Sequence, residues 1–337
     1  MKILSLFDGI SCGHVALDRA GIEVEEYHAY EIEESAMRIT QSNYPETKQH
    51  GDVFKAKFAD HVGTDLLIGG SPCTYWSICQ KAGKRETTSD GFGYQLFQQY
   101  IRALEESEAP WFLYENNYSM DKNICFEITK AFNAVMEARR TKYAPNTIQY
   151  HAATVYDKIV PIFIDSATVS GQSRKRLYWT NIPKKCVPDD KGITLQSILE
   201  HGTVDREKGL CLARRYAGFQ GSQSYLCRRY FGKSMGQAVF EGDIAEIKAK
   251  WAANNRFADD GTINIRPMSV TECERMQTLP DGYTSKVQNV TNPQRIEGIG
   301  NGWTVDVIAH LLRGFERANN NVEVAPFEIP NKFKGYV

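Results

Sequence analysis

Lys2-Ile3-Leu4-Ser5-Leu6 runs into the turn Phe7-Asp8-Gly9-Ile10-Ser11-Cys12-Gly13, and then into a segment carrying Val15, Leu17 and Ala20 that stops at Gly21. This reads as a short apolar strand, a glycine turn and a helix. The pattern repeats: Tyr27 to Glu31 reads as a second strand ending on an acid, and Ser35 to Tyr44 as a helix closed by Pro45. Leu66-Leu67-Ile68 is a continuous apolar strand between Asp65 and Gly69-Gly70, and Trp111-Phe112-Leu113-Tyr114 is another between Pro110 and Glu115. Apolar strands alternating with helices predict an α/β fold with a doubly wound, mostly parallel sheet. Ligands of such sheets bind at the C-terminal ends of the strands. The informative residues gather there: Asp8 to Gly13, Glu31, Asp52, Ser71 to Cys73, and Glu115 to Asn117.

At 337 residues the chain can bury a full α/β core and one smaller unit. Its 42% hydrophobic and 24% charged residues are ordinary for a globular protein and exclude disorder. No run approaches the roughly 18–20 apolar residues of a membrane span, and the apolar start meets a glycine turn too soon for a secretory signal. A reducing compartment is expected. The net charge of −1 excludes an overall basic protein but allows a local basic cleft. None of the eight cysteines is spaced C-x-x-C, which removes zinc-ribbon and thioredoxin-like readings. Free thiols and no metal are expected.

Composition changes after Trp179. From Arg206 to Lys233 the basic residues 206, 208, 214, 215, 228, 229 and 233 face one acid, Glu207. Two pentads echo one another there, Arg214-Arg215-Tyr216-Ala217-Gly218 and Arg228-Arg229-Tyr230-Phe231-Gly232. Arginine beside tyrosine suits phosphate contact and base stacking, while a solvated basic surface is the plainer alternative. Order returns after 265, with a capped helix opening at Ser269 and another from Val305 to Phe315. The tail from Asn319 reads as an arm lying over the surface.

Several residues carry chemistry. The turn from Phe7 to Gly13 could hold a nucleotide-like cofactor but lacks the G-x-G-x-x-G fingerprint. Glu31 could bind ribose hydroxyls, and Asp52, followed by Val53, an adenine amino group. Cys73 follows Gly70-Ser71-Pro72 directly after a buried strand, where a thiolate is a plausible nucleophile and a structural thiol the alternative. Glu115-Asn116 sets an acid beside an amide at a strand end. In Gln172-Ser173-Arg174-Lys175-Arg176 the two arginines share one face of an extended segment.

In their order these motifs resemble those of the DNA (cytosine-5) methyltransferase family over about 250 residues. The pieces are Leu6 to Gly13, Glu31, Gly51-Asp52-Val53, Gly69 to Cys73, Glu115-Asn116, Gln172 to Arg176, Arg266 to Pro280, and Gly300-Asn301-Gly302-Trp303-Thr304-Val305. Its compact build is most similar to phage-encoded and eukaryotic de novo members. The resemblance implies a class I S-adenosylmethionine-dependent methyltransferase, with a Rossmann-like catalytic domain in 1–182 and 266–318. It also implies a target-recognition insert in 183–265 and a tail in 319–337.

The cofactor S-adenosyl-L-methionine, leaving as S-adenosyl-L-homocysteine, is expected on Phe7, Asp8, Gly9, Ile10, Ser11, Cys12, Gly13, Glu31, Ile32, Asp52, Val53, Gly70, Pro72, Asn301, Gly302 and Trp303. The implied catalytic residues are Cys73, attacking C6 of a cytosine flipped out of double-stranded DNA, Glu115 on N3 and N4, and Arg176 on O2 with Arg174 nearby. DNA contacts are expected from Ser71, Asn116, Gln172, Arg214, Arg215, Arg228 and Arg229, in a monomer. An RNA-directed relative and a silent DNA-binding homologue are the alternatives. The sequence departs from the family at Asn117, where valine is usual after Glu-Asn, and His14 has no assigned role.

Overall fold

A computed structural model of the chain describes residues 1–77, 84–183, 187–221, 223–253, 263–315 and 331–333. The first half is a string of strands and helices. It runs β1 (Lys2–Leu6), α1 (Cys12–Arg19), β2 (Glu26–Tyr30), α2 (Glu34–Asn43), β3 (Lys48–Gln49) and β4 (Leu66–Gly69). There follow α3 (Phe92–Glu106), β5 (Trp111–Asn117), α4 (Lys122–Lys142), α5 (Ile148–Thr154), β6 (Ile162–Asp165) and β7 (Lys175–Thr180). The seven strands form one sheet in the order β3-β2-β1-β4-β5-β7-β6, and only β7 runs against its neighbours.

Because successive side chains alternate across the sheet, each strand feeds two cores. Ile3, Tyr27, Ile68 and Leu113 pack on the side of α1, with Ile308 and Leu312. Leu4, Leu67, Phe112 and Tyr114 pack on the other, with Phe97, Tyr100 and Phe132 of α3 and α4. The parallel register puts Leu6 beside both Tyr30 and Gly69, and Gly69 beside Tyr114. Phe7, Glu31, Gly70 and Glu115 therefore stand one rung further on, side by side along the same edge.

The segment 183–265 carries α6 (Gln223–Lys233), β8 (Val239–Phe240) and α7 (Ile244–Ala253); β8 pairs with β9 (Ile265–Arg266). Its Leu195, Leu212, Tyr216, Leu226 and Phe240 lie in the same core as Cys273, Met276 and Ile299. The described residues of this segment thus share one core with the strands and helices around them. The chain then forms α8 (Val270–Met276), α9 (Asn292–Asn301) and α10 (Val305–Leu312). Ser269 and Glu272 close a capping box on α8, as Thr291 and Gln294 do on α9.

Two sequence expectations change. Most of the tail lies outside the described residues, but Phe333 is no surface element: it is fully buried beside Tyr118, and Lys332 Nζ donates to the carbonyls of Tyr118 and Met120 at 2.9 Å. The tyrosines of the two echoing pentads are not stacking platforms. Tyr216 and Tyr230 are buried, Tyr216 donating to Gln237 O at 2.9 Å and Tyr230 donating to Asp205. Among the described residues, no helix is long and apolar enough to cross a membrane. Six described cysteines are free thiols; Cys79 and Cys186 lie outside the described residues.

Candidate active site

Across the strand ends lies a cavity of about 1090 Å³, reached by Phe7, Glu31, Gly70, Cys73, Glu115, Arg176 and Trp303 among others. Pro72 starts a single helical turn, Cys73–Tyr75, at the end of β4. Asn116, inside β5, holds that loop: its Nδ2 donates to Ser71 O at 3.0 Å and to Tyr114 Oη at 3.1 Å, while its Oδ1 accepts from Asn117 N–H at 2.8 Å. Ser71 Oγ lies 2.6 Å from Tyr114 Oη. Asn117, where the family has valine, directs Nδ2 to Cys73 O at 3.5 Å and accepts from Ser119 Oγ at 2.6 Å.

Glu115 is the centre of the polar cluster. Its Oε1 stands 2.6 Å from Arg176 Nε, and its Oε2 accepts from Trp303 Nε1 at 3.1 Å. Arg174 lies on the same wall but donates to Leu212 O at 2.8 Å, Gly302 O at 2.9 Å and Gly300 O at 3.4 Å, so it braces the cavity. The sequence reading passed over Cys211. It is exposed in the cavity, with Sγ 3.3 Å from Arg174 Nη1 and 3.9 Å from Arg176 Nη2. A parallel bridge from Gln172 to Gly209 brings it there, a contact no sequence spacing announces.

The electrostatics follow from burial and two guanidinium groups. Burial pushes the Cys73 thiol up, with Arg176 opposing. Cys211 is open to the cavity, yet the surrounding walls desolvate its thiol in the same sense; Arg174 and Arg176 outweigh this and hold the thiol below its ordinary value. Burial works against the Arg176 charge, yet Cys211, Glu115 and Cys73 keep it firmly protonated.

The other end of the cavity suits a nucleotide-like cofactor. Glu31 Oε2 accepts from Gly9 N–H and its Oε1 from Ile32 and Glu33 N–H, each at 2.8 Å, which fixes the carboxylate at the rim. Ile32 is 75% exposed there, an apolar surface that a flat heterocycle would cover. Phe7, at φ 57°, holds a left-handed conformation rare for an aromatic residue, the kind of local strain found at binding sites. Asp8, Gly9, Cys12, Pro72, Asn301 and Gly302 also line the wall.

Other expected contacts do not. Ile10 and Ser11 are fully buried, and Gly13 packs under Ile68, Tyr27 and Trp303. Asp8 does line the wall, but its carboxylate is turned inward, accepting from Ser5 at 2.6 Å, from Tyr27 at 2.7 Å and from Ser11, and burial raises its pKa. Asp52 caps the turn after β3, accepting from Phe54 N–H at 3.0 Å, and Val53 is buried; neither lines the cavity. His14 is sandwiched between Tyr27 and Tyr44, with ring centroids 4.5 and 3.7 Å away.

Two expected DNA contacts are corrected. Asn116 has every polar atom engaged in the loop bonds above. Gln172 is fully buried, donating to Met276 O at 2.6 Å and accepting from Leu212 N–H at 2.8 Å, so it staples the core. Ser71 is nearly buried but reaches the cavity wall. Arg214 and Arg215 are exposed and line the cavity, Arg214 pairing with Glu297 at 3.1 Å. Arg228 is exposed on α6, and Arg229 lies 5.8 Å from the Tyr225 ring centroid. Lys208 faces inward, its Nζ on the carbonyls of Ala167, Ser170 and Ile193.

A sequence model of the family described as C-5 cytosine-specific DNA methylase matches residues 1–182 and 213–317. The chain is 26% identical over 349 residues to the type II methyltransferase M.NgoPII of Neisseria gonorrhoeae, covering 94% of this chain and 96% of that protein. It is 36% identical over 118 residues to the orphan methyltransferase M.Rho11sI of Bacillus phage rho11s, a stretch covering 34% of this chain and 23% of the relative. Among solved structures it resembles the Entamoeba histolytica methyltransferase EhMeth, with a TM-score of 0.65 and 14% identity over 96% of this chain and 99% of that one. The S. pombe Dnmt2 methyltransferase is similar with a TM-score of 0.62 and 18% identity over 96% of this chain and 100% of that one. These two likenesses concern the fold. With the family match extending over most of its length, the chain belongs to the C-5 cytosine-specific DNA methylases.

Proposed function

We propose that this S-adenosylmethionine-dependent DNA cytosine-5 methyltransferase uses Cys73 as its nucleophile, on a cytosine turned out of double-stranded DNA. One observation carries the reading: Glu115 and Arg176 meet at 2.6 Å inside the cavity that Cys73 lines. Cytosine C5 is a poor nucleophile until C6 gains a covalent partner. The Cys73 thiolate adds to C6, Glu115 holds the N4 amino group and gives N3 a proton, and Arg176 holds O2. Both groups stabilise the ring where it gains electron density. Phe7, Glu31, Ile32 and Trp303 would hold the cofactor, which when bound would supply an electrophilic methyl group to C5. Loss of the C5 proton to solvent, return of the N3 proton to Glu115 and departure of the Cys73 thiolate then restore the aromatic ring.

Residues 183–265 are read as the target-recognition region, 319–337 as a tail, and the rest as the catalytic unit. Arg214, Arg215, Arg228 and Arg229 face the DNA phosphates in this reading. All these parts belong to one chain, so the active species is taken as a monomer, in a cytoplasm and on the nucleoid.

The test is nucleoside mass spectrometry of DNA incubated with the protein and S-adenosylmethionine, for the wild type and Cys73→Ser. The wild type is expected to form 5-methylcytosine. Cys73→Ser is expected to form none while still gaining thermal stability from S-adenosylhomocysteine. Turnover by the serine variant overturns the nucleophile assignment. A product on RNA alone overturns the DNA substrate.

A further inference from the structure

Away from the cavity, His28 on β2, His50 after β3 and His61 in a helical turn before β4 converge at the edge of the sheet. One ring nitrogen from each lies within 4.8 Å of the other two. The mechanism above uses none of them. His28 Nδ1 faces His50 Nε2 at 2.9 Å, while His28 Nε2 lies 3.2 Å from Glu26 Oε2. A carboxylate on the outer nitrogen of a histidine fixes the ring and its tautomer, as it does around bound metal ions. Tyr30 Oη stands 2.9 Å from His61 Nε2, and Phe58 packs on Tyr30 at 5.3 Å between ring centroids. The cluster therefore has a buried wall and, at the exposed His50, an opening to solvent.

We propose that His28, His50 and His61 form a binding site for a divalent transition-metal ion of zinc type, with solvent in the fourth position. Imidazole nitrogen suits zinc, copper and nickel, while calcium and magnesium favour oxygen ligands. Tetrahedral zinc–nitrogen bonds of about 2.0–2.1 Å set ligand nitrogens about 3.3 Å apart. The separations here, from 2.9 Å to within 4.8 Å, close onto that geometry with about an ångström of side-chain movement. His50 is the exposed member of the three. Bound there, the ion ties the end of β3 to β2 and to the turn before β4.

The protein is stripped with a chelator, kept reduced, and titrated with zinc against a chromophoric competitor, as wild type, His50→Ala and His61→Gln. One tight equivalent is expected in the wild type, weakened at least tenfold in both variants. Zinc is expected to raise the melting temperature of the wild type only. Equal melting of stripped wild type and stripped His50→Ala shows that the variant is folded. Since reduced cysteines also take zinc, cobalt(II) is bound in parallel; an all-imidazole site shows no intense thiolate-to-cobalt charge-transfer band. Absence of a tight equivalent, a thiolate band on it, or unchanged affinity in His50→Ala overturns the site.

Discussion

Arg176 Nε lies 2.6 Å from Glu115 Oε1, joining two antiparallel neighbours of the sheet diagonally. Arg176 on β7 pairs in register with Asn117, two residues beyond Glu115 on β5, so all three share one face. The guanidinium donates from Nη1 to Lys175 O at 2.9 Å, which fixes its plane. A lysine keeps the charge but loses the planar fork. We therefore expect Arg176→Lys to lower kcat by about 10²–10³-fold, the range for removing one aimed donor. Cofactor binding is expected to stay the same. Single-turnover methylation of a short duplex measures it, and a rate within threefold of wild type, about 0.7 kcal/mol, would place Arg176 outside the reacting groups.

Cys73 starts from the wrong protonation state. Burial pushes its thiol up and Arg176 only partly offsets this, so the free enzyme carries little thiolate at neutral pH. Below the thiol pKa, the thiolate fraction rises tenfold per pH unit. We expect kcat/KM for DNA to climb with a slope near one between about pH 6.5 and 8.5, below the ordinary thiol value. A flat profile over that range would mean that the thiolate is already formed in the free enzyme.

Gly70 sits where the Cys73 loop passes close to Glu115. A Cβ there would lie 2.8 Å from the carbonyl oxygen of Glu115, 3.0 Å from its Oε2 and 3.3 Å from Trp303 Nε1. The first contact is backbone within the sheet and cannot swing away. Gly70→Ala must therefore move the Cys73 loop relative to Glu115. An ångström of misplacement between reacting groups reduces turnover by about 10²-fold. That loss is expected in the methylation rate, with a folded protein by circular dichroism; near-normal turnover would show that the loop and β5 separate easily.

The first half was legible because β1, β4 and the start of β5 are apolar runs that stop at chemical residues, as Leu6 does before Phe7 and Tyr114 before Glu115. Backbone register then aligns those stops without any long-range information. What stayed hidden depends on contacts between distant segments. Cys211 reaches the two arginines only because residues near 209 pair with Gln172. His28, His50 and His61 follow no metal-binding spacing, and only the pairing of β2 with β3 brings the first two together. Asn116 and Gln172 are expected at DNA only through the family resemblance, which carries no information on their burial. In the fold each satisfies buried backbone groups that would otherwise lack partners.

Glu272 secures the join between α8 and the segment before it, at Glu200 and Arg266. Its buried carboxylate accepts from Arg266 Nη1 and Nη2 at 2.8 and 2.7 Å, from Ser269 N–H at 2.8 Å and from Glu200 N–H at 2.9 Å. Burial alone would raise its pKa, but Arg266 and the two backbone donors outweigh that and hold it below the ordinary value. Glutamine keeps the shape yet removes the charge and turns an amide toward these donors. Breaking one side of a buried ion pair destabilises by about 3–5 kcal/mol, so Glu272→Gln is expected to lower stability by about 3 kcal/mol at neutral pH. A depressed carboxyl contributes in full above the unfolded value of about 4.3 and loses that contribution as pH falls through the lower folded value. The gap between wild type and variant in urea melts should therefore be widest near neutrality and shrink in acid. A gap that stays constant down to about pH 3, below the unfolded carboxyl value, would mean that the charge on Glu272 contributes nothing and that only its packing holds the join.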